Sequence, residues 1–384
     1  MARKSTRNAQ GGGTIRQRPD GRWEARYTVG RDPGTGKQIQ RSVYGSTQKE
    51  VRQKLAQITA SIDNGTYKEP CKMTLGQWLD IWQRDYLGGV KPATVTVYTG
   101  NIKNHIKPAL GAVRLDQLHP HAVQGFVNSL ELSPASVRLA YKVLHMALEK
   151  AVELDYIPRN PAARCELPRL DQKEIHPLDD QQVAALLATA KGGSLEYLIT
   201  VALFTGLRLS ELLGLTWDAV DFQRGTIHVN KQLARMEHRA AGLFISPKSG
   251  RARTITAAPS AMAALKHQQA RQAEMQLRVG PMWANPYGLV FTSALGGPLE
   301  HWNAENGFKR IATAAGLEGV RFHDTRHTYA VNAIRAGDDI KTIQGNLGHA
   351  TAAFTLDRYG HFTERMAQDS AARMEGFIKD VLGL

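Results

Sequence analysis

The 384-residue chain reads as a multidomain α+β protein: a small three-stranded β-sheet with one helix, a four-helix block, and a mainly α-helical domain with a small β-sheet. Three features of the sequence point to this. Residues 22–29 alternate, with Trp23, Ala25, Tyr27 and Val29 on one side and Arg22, Glu24, Arg26 and Thr28 on the other, the period of a half-buried strand. Residues 73–165 place apolar side chains at helical spacing instead. After a polar stretch at 166–175, helical patterns resume and are broken by strand-like runs between 225 and 257. The expected domains are 1–68, 73–165 and 175–384.

Residues 1–13 end in Gln-Gly-Gly-Gly and read as a flexible basic arm. Strands are expected at 14–18, 22–29 and 38–44, joined by turn signals at 19–21 and 32–37. Thr47 with Glu50 has the capping-box pattern and opens a helix whose Val51, Leu55, Ile58 and Ile62 share a face; Asn64-Gly65 ends it. The second block predicts helices at 74–86, with Leu75, Trp78, Leu79 and Trp82 as packing residues, and at 93–106, entered through Lys91-Pro92. Two more follow at 120–130 and 134–154, the last with a stripe of Val137, Ala140, Tyr141, Leu144, Ala147, Leu148 and Ala151. The polar run 166–175 is a natural linker. Asp179 is the expected N-cap of a helix at 180–190. An apolar helix at 195–205 ends at Gly206, and strands are expected at 225–231, 242–246 and 253–257.

The net charge is +14, which favours a polyanionic partner. Residues 1–70 carry 14 Lys and Arg against 6 Asp and Glu, more than half of the whole excess, so a basic front end is joined to a nearly neutral body. Cys71 and Cys165 are the only cysteines, which excludes a disulfide scaffold and a Cys-rich zinc site. The basic start is followed by no apolar segment of the secretory type, and no run of about 18 apolar residues occurs. An intracellular, soluble protein with no membrane partner is expected.

Chemistry concentrates in two strings. The first is Thr205-Gly206-Leu207-Arg208-Leu209-Ser210-Glu211-Leu212. The second is His323-Asp324-Thr325-Arg326-His327, followed by Leu347-Gly348-His349 and, ten residues on, Tyr359. Guanidinium groups grip phosphate oxygens in bidentate fashion, histidines move protons near neutral pH, and a tyrosine oxygen can form a covalent intermediate. His323 and Arg326 share a helical face, as do Arg208 and Glu211. These are parts for handling a phosphate without a metal or other cofactor. His323 and His327 at i,i+4 also raise zinc, but the Glu of His-Glu-x-x-His is absent and no third ligand suggests itself.

In this order, the set resembles the catalytic signature of the tyrosine recombinases, the phage-integrase family, and the likeness runs over nearly the whole chain. The resemblance implies that Arg208 and Arg326 clamp the scissile phosphate and that Tyr359 attacks it. It implies further that Lys248, in the turn 247–250, protonates the leaving 5′ oxygen. His323 would be proton acceptor or hydrogen-bonding partner, His349 a donor to the phosphate, and Glu211 a carboxylate that positions them. Arg251 and Arg253 are set aside as neighbours of Lys248, and His327 as a structural residue. The first block resembles the arm-type DNA-binding domain of the larger integrases, with Arg16, Arg18, Arg22, Arg26 and Arg41 as its basic face. The second resembles the core-binding domain, with Lys91, Lys103, Lys107, Arg138 and Lys142 as candidate DNA contacts.

The implied reaction leaves a 3′-phosphotyrosyl linkage and proceeds through a Holliday junction. It joins a phage or other mobile element to a chromosomal attachment site in the cytoplasm of a bacterial host, at the nucleoid. Implied partners are double-stranded DNA, with core and arm sequences, and three further copies of the chain. There is room for a host DNA-bending protein and a directionality factor. The tail at 365–384 would dock on a neighbouring subunit or fold back in cis. The competing classes are a type IB topoisomerase, which would relax supercoils as a monomer without a defined site, and a DNA-binding regulator that has lost catalysis.

Overall fold

The computed structural model describes residues 14–65, 67, 71–170, 175–248, 250–349, 351–359, 374–379 and 381–382. The basic arm at 1–13 and most of the tail at 365–384 therefore lie outside the described residues. The chain divides into two compact units that part at residues 171–172, inside the expected linker.

The first unit opens with the expected antiparallel sheet, β1 (Thr14–Gln17), β2 (Trp23–Arg31) and β3 (Gln38–Gly45), in the order β1-β2-β3. Helix α1 (Gln48–Asp63) covers one face, packing Val51 and Leu55 on Ala25, with Ile15, Trp23, Tyr27 and Val43 around them. Half of the expected capping box forms. Thr47 accepts from the Glu50 N–H at 3.2 Å, but the Glu50 carboxylate reaches Ser46 rather than Thr47. On the other face Glu24 is buried beneath Arg16 and Arg26.

The helical block follows as α2 (Leu75–Tyr86), α3 (Pro92–Asn101), a π-helical turn (Ile102–Ile106) and α4 (Lys107–Leu110), then α5 (Pro120–Ser129) and α6 (Pro134–Glu153). Thr74 and Gln77 cap α2 reciprocally. The four predicted helices are present, with the second carried four residues further through the π turn. Trp78 is fully buried at their centre among Leu75, Leu79, Leu144 and Leu148, and its indole N–H donates to Ala147 O at 2.8 Å.

In the second unit, Asp179 caps α7 (Asp180–Ala190) as expected, accepting from the Gln182 N–H at 2.8 Å. Helix α8 (Glu196–Thr205) is apolar on nearly every side and packs against other helices of the unit, so it is the natural centre of the core. It stops at Gly206, whose φ of +63° is left-handed; a Cβ there would lie 2.4 Å from the Tyr329 ring. Next come α9 (Leu209–Leu213), then β4 (Val220–Asp221), β5 (Thr226–Val229), β6 (Gln232–Leu233), β7 (Phe244–Ile245) and β8 (Arg253–Thr256). The expected strands at 225–231 and 242–246 are shorter than predicted. β5 sits between β4 and β8, and the chain then leaves that sheet to form the separate β6-β7 pair. Helices α10 (Pro259–Val279), α11 (His301–Ala314), α12 (Phe322–Ala336), α13 (Ile340–Leu347) and α14 (Ala352–Tyr359) complete the described fold. None of the described helices is long and apolar enough to cross a membrane.

The centre of the first unit supplies a stability test. Trp78→Ala should cost about 3–5 kcal/mol, the loss of a large core side chain together with the cavity it leaves. Urea unfolding followed by helical circular dichroism checks it; an unchanged midpoint would take Trp78 out of the core.

Candidate active site

Helix α13 ends in carbonyls that no further turn can satisfy. Three consecutive ones accept from arginines of three different elements. Arg253 on β8 donates Nε to Asn346 O at 2.9 Å, and Arg326 on α12 donates Nη2 to Leu347 O at 2.5 Å. Arg208, which precedes α9, donates Nη2 to Gly348 O at 3.4 Å. The negative end of a helix dipole favours cations at this place.

Glu211, on α9, lies among them with its side chain buried. Its carboxylate accepts both Nη atoms of Arg253, at 3.0 and 2.8 Å, and from Arg208 takes Nη1 at 2.8 Å and the main-chain N–H at 3.0 Å. Burial alone would push this acid up. The hydrogen bond and charge of Arg253, then the charge of Arg208, outweigh it and hold the acid at about 2. Arg326 is only 2% exposed and also donates Nη1 to Gly206 O at 2.7 Å. Burial, then the charge of Arg208, brings it down to about 9, so it stays cationic at neutral pH.

Arg208, Lys248, His323 and Arg326 line one cleft of about 350 Å³. Lys248 comes from the turn between β7 and β8 and is exposed. His323 is exposed along one side of the ring; desolvation of the rest, then Arg326, lowers its pKa. His301 also lines the cleft, is buried, and bonds Ser210 Oγ through Nε2 at 2.9 Å. No motif marks His301 in the sequence.

His349 and Tyr359 are not among the residues lining the cleft. His349 follows the α13 turn. Its Nδ1 is 2.9 Å from Thr355 Oγ1, and burial, then Arg326 and Arg208, pushes the ring down to about 3. Tyr359 is 1% exposed and packs with Ile334, Ile343 and Leu347. Its hydroxyl is 2.6 Å from His327 Nδ1, and its ring lies nearly parallel to His349 with centroids 6.4 Å apart. The structure thus gathers four of the six expected residues around the cleft, and His349 and Tyr359 are not in its lining. It holds the tyrosine against His327, which the sequence pattern marks only as a structural residue. It also makes Arg253, set aside as a neighbour of Lys248, the main partner of Glu211. Sequence spacing carried no signal for either contact, because both join segments more than 30 residues apart.

The expected basic face of the first sheet is partly corrected. Arg16 and Arg26 lie together over Glu24, which Ser42 first and Arg16 second hold at about 2. Arg22 pairs with Asp20, and Arg18 lies over the Tyr44 ring at 5.5 Å. Arg41, however, registers with Tyr27, on the face that α1 covers, because cross-strand partners share a side of the sheet. Among the candidates of the helical block, Lys107 pairs with Asp80 and Arg138 donates to Pro168 O at 2.8 Å. Lys91, Lys103 and Lys142 are exposed.

The buried carboxylate yields a prediction. Glu211→Gln leaves two largely covered guanidiniums undercompensated and should destabilise the second unit by about 3–5 kcal/mol at pH 7. The native acid is held below its ordinary value. Its contribution is therefore full above about pH 4.5 and fades as pH falls toward 2. Unfolding measured from pH 7 to pH 3 should show the gap between wild type and variant closing in acid; a constant gap would mean that Glu211 is not ionised in the fold.

Comparison with known proteins agrees with this geometry. Residues 176–366 match the model of the phage integrase family, and residues 74–131 match its N-terminal SAM-like domain. A tyrosine recombinase XerC-like protein of Caldanaerobacter subterraneus is 29% identical over 355 residues, 87% of this chain and 90% of the relative. An integrase of Streptomyces ambofaciens is 28% identical over 369 residues, covering 93% and 94%. In fold, the Tn1549 transposon integrase in complex with a circular intermediate DNA superposes with a TM-score of 0.67 at 24% identity, over 79% of this chain and 99% of that one. A lambda integrase tetramer bound to a Holliday junction does so with a TM-score of 0.59 at 20% identity, over 88% and 96%. With the two family models spanning well over half of its length, the chain belongs to the phage integrase family, the tyrosine recombinases that cut and rejoin DNA.

Proposed function

We propose that the chain integrates and excises a mobile element at a chromosomal site, with Tyr359 as nucleophile and the α13 turn as the seat of the scissile phosphate. The convergence of Arg208, Arg326, Lys248 and His323 on one cleft supports this above all. Arg208, Arg253 and Arg326 surround a single carboxylate, so the wall keeps a positive excess that an arriving phosphodiester offsets.

In this scheme the Tyr359 oxygen attacks phosphorus and its proton passes to His323. Lys248 gives a proton to the departing 5′ oxygen, which is too basic to leave unprotonated. The products are a 3′-phosphotyrosine and a free 5′ hydroxyl. Attack by a 5′ hydroxyl of the partner duplex reverses the chemistry and frees the tyrosine, so bond energy is conserved without ATP. His349 Nδ1 lies 2.9 Å from Thr355 Oγ1; in this scheme the Thr355 hydroxyl donates to it, and Nε2–H is the donor to a phosphate oxygen. Before the first step the Tyr359 hydroxyl must leave His327 and its apolar packing, because a buried phenol cannot meet DNA.

The three-domain division, 1–68, 73–165 and 175–384, belongs to the same proposal. The sheet takes arm DNA through Arg16, Arg18, Arg22 and Arg26, and the helical block takes core DNA through residues such as Lys91, Lys103 and Lys142. Four copies act on two duplexes, a state in which lambda integrase, a protein of like fold, is seen on a Holliday junction.

Two experiments test the scheme. Purified protein is mixed with DNA from the locus flanking its gene and denatured in SDS. A covalent adduct on Tyr359 is expected, absent in Tyr359→Phe while gel-shift binding persists; an adduct on another residue would overturn the assignment. Lys248→Ala should slow cleavage roughly 100-fold or more. A 5′-sulfur leaving group, which needs no proton, should restore most of that rate. Failure of the sulfur substrate to rescue would deny Lys248 the role of acid.

A further inference from the structure

Every acceptor site of Glu211 is occupied. Oε1 takes Arg208 Nη1 and Arg253 Nη1, and Oε2 takes the Arg208 N–H and Arg253 Nη2. Arg253 has turned its whole fork inward. Both Nη atoms are on the carboxylate, Nε is on Asn346 O, and the side chain is 10% exposed. It is also wedged against the turn that carries His349: Gly348 has a left-handed φ of +63°, and a Cβ there would meet the Arg253 guanidinium at 3.0 Å. A residue committed in this way is no third phosphate ligand. Arg208, by contrast, gives Glu211 one guanidinium nitrogen and rests another on Gly348 O at the long distance of 3.4 Å.

We propose that Arg253 is a positioning residue for DNA cleavage: by filling one side of the Glu211 carboxylate it limits Arg208 to a single tether and keeps the rest of that guanidinium turned to the phosphate. This rests on the assignment of the cleft to the scissile phosphate. Without Arg253, two outcomes are open to the carboxylate, and both misplace Arg208. Glu211 can close a fork-to-fork pair with Arg208 and draw it out of the cleft. In acid it can instead take up a proton, since burial favours the neutral form, and release Arg208 altogether. The charged groups facing Glu211 are Arg208 just before its own helix, Arg253 from β8 and Arg326 from α12.

The test is single-turnover formation of the covalent adduct by the full chain, from pH 5 to pH 9, on a nicked duplex from the locus flanking its gene. Wild type, R253Q, R253K, E211Q and R253Q/E211Q are compared, with gel-shift binding and thermal melting alongside. R253Q should cleave about 100-fold more slowly with binding changed only a few-fold, the scale expected for a misplaced catalytic group. Its rate should also fall toward acid where the wild-type rate does not. R253K, which cannot fill both oxygens at once, should be intermediate and keep the acid fall, and it decides the matter if R253Q does not fold. Adding E211Q to R253Q should remove the acid fall. The proposal is overturned if either Arg253 variant cleaves at the wild-type rate, or if the loss is the same at every pH and follows the melting temperature. Absence of a Tyr359 adduct with wild type would instead refute the assignment of the cleft, which separates the two failures.

Discussion

The C-terminal turn of α13 is the point on which the site depends. A helix must end somewhere, and its last carbonyls need donors. Here the left-handed turn at Gly348 gives main-chain N–H donors to Gln344 and Gly345, and guanidiniums from β8, α12 and the start of α9 serve the three carbonyls that follow. One turn thereby sets the relative places of three elements that are distant in sequence. His349 follows that turn directly, so its ring is placed by the same contacts. A shift of α13 would displace both proposed phosphate-binding arginines and a proposed phosphate donor together.

Glu211 makes that arrangement tolerable in electrostatic terms. Arginines packed close together repel one another, and burial penalises each of them. A single carboxylate shared by two of them offsets part of this cost and leaves the excess that a phosphate can complete. The same device appears on the outer face of the first sheet, where the buried Glu24 holds Arg16 and Arg26 side by side. In both places a buried acid holds two guanidiniums side by side that would otherwise splay apart in water.

Tyr359 is arranged in the opposite way. The proposed electrophile site is open and preorganised, whereas the proposed nucleophile is buried and hydrogen-bonded to His327. In the proposed scheme cleavage waits on a movement of α14, a short helix that packs mainly on α13. In the proposed scheme, separating the phosphate clamp from the tyrosine would protect DNA from cutting at unsuitable sites.

Much of this was legible from the chain alone. Alternation around Trp23–Val29, the Trp78 stripe, the Asp179 cap and the two arginine strings are local patterns, and local patterns are written in neighbouring residues. The family followed from the order of Arg208, Lys248, His323, Arg326, His349 and Tyr359. What the chain could not disclose are contacts whose partners lie far apart in it. Arg253 looked like any strand arginine beside Lys248, His327 like a spare histidine, and Arg41 like a member of the basic face, until register and packing assigned each its side. Sequence determined which side chains are present and which turns bend; tertiary structure alone decided which guanidinium meets which carbonyl, because that choice is made by helix ends brought together across more than a hundred residues.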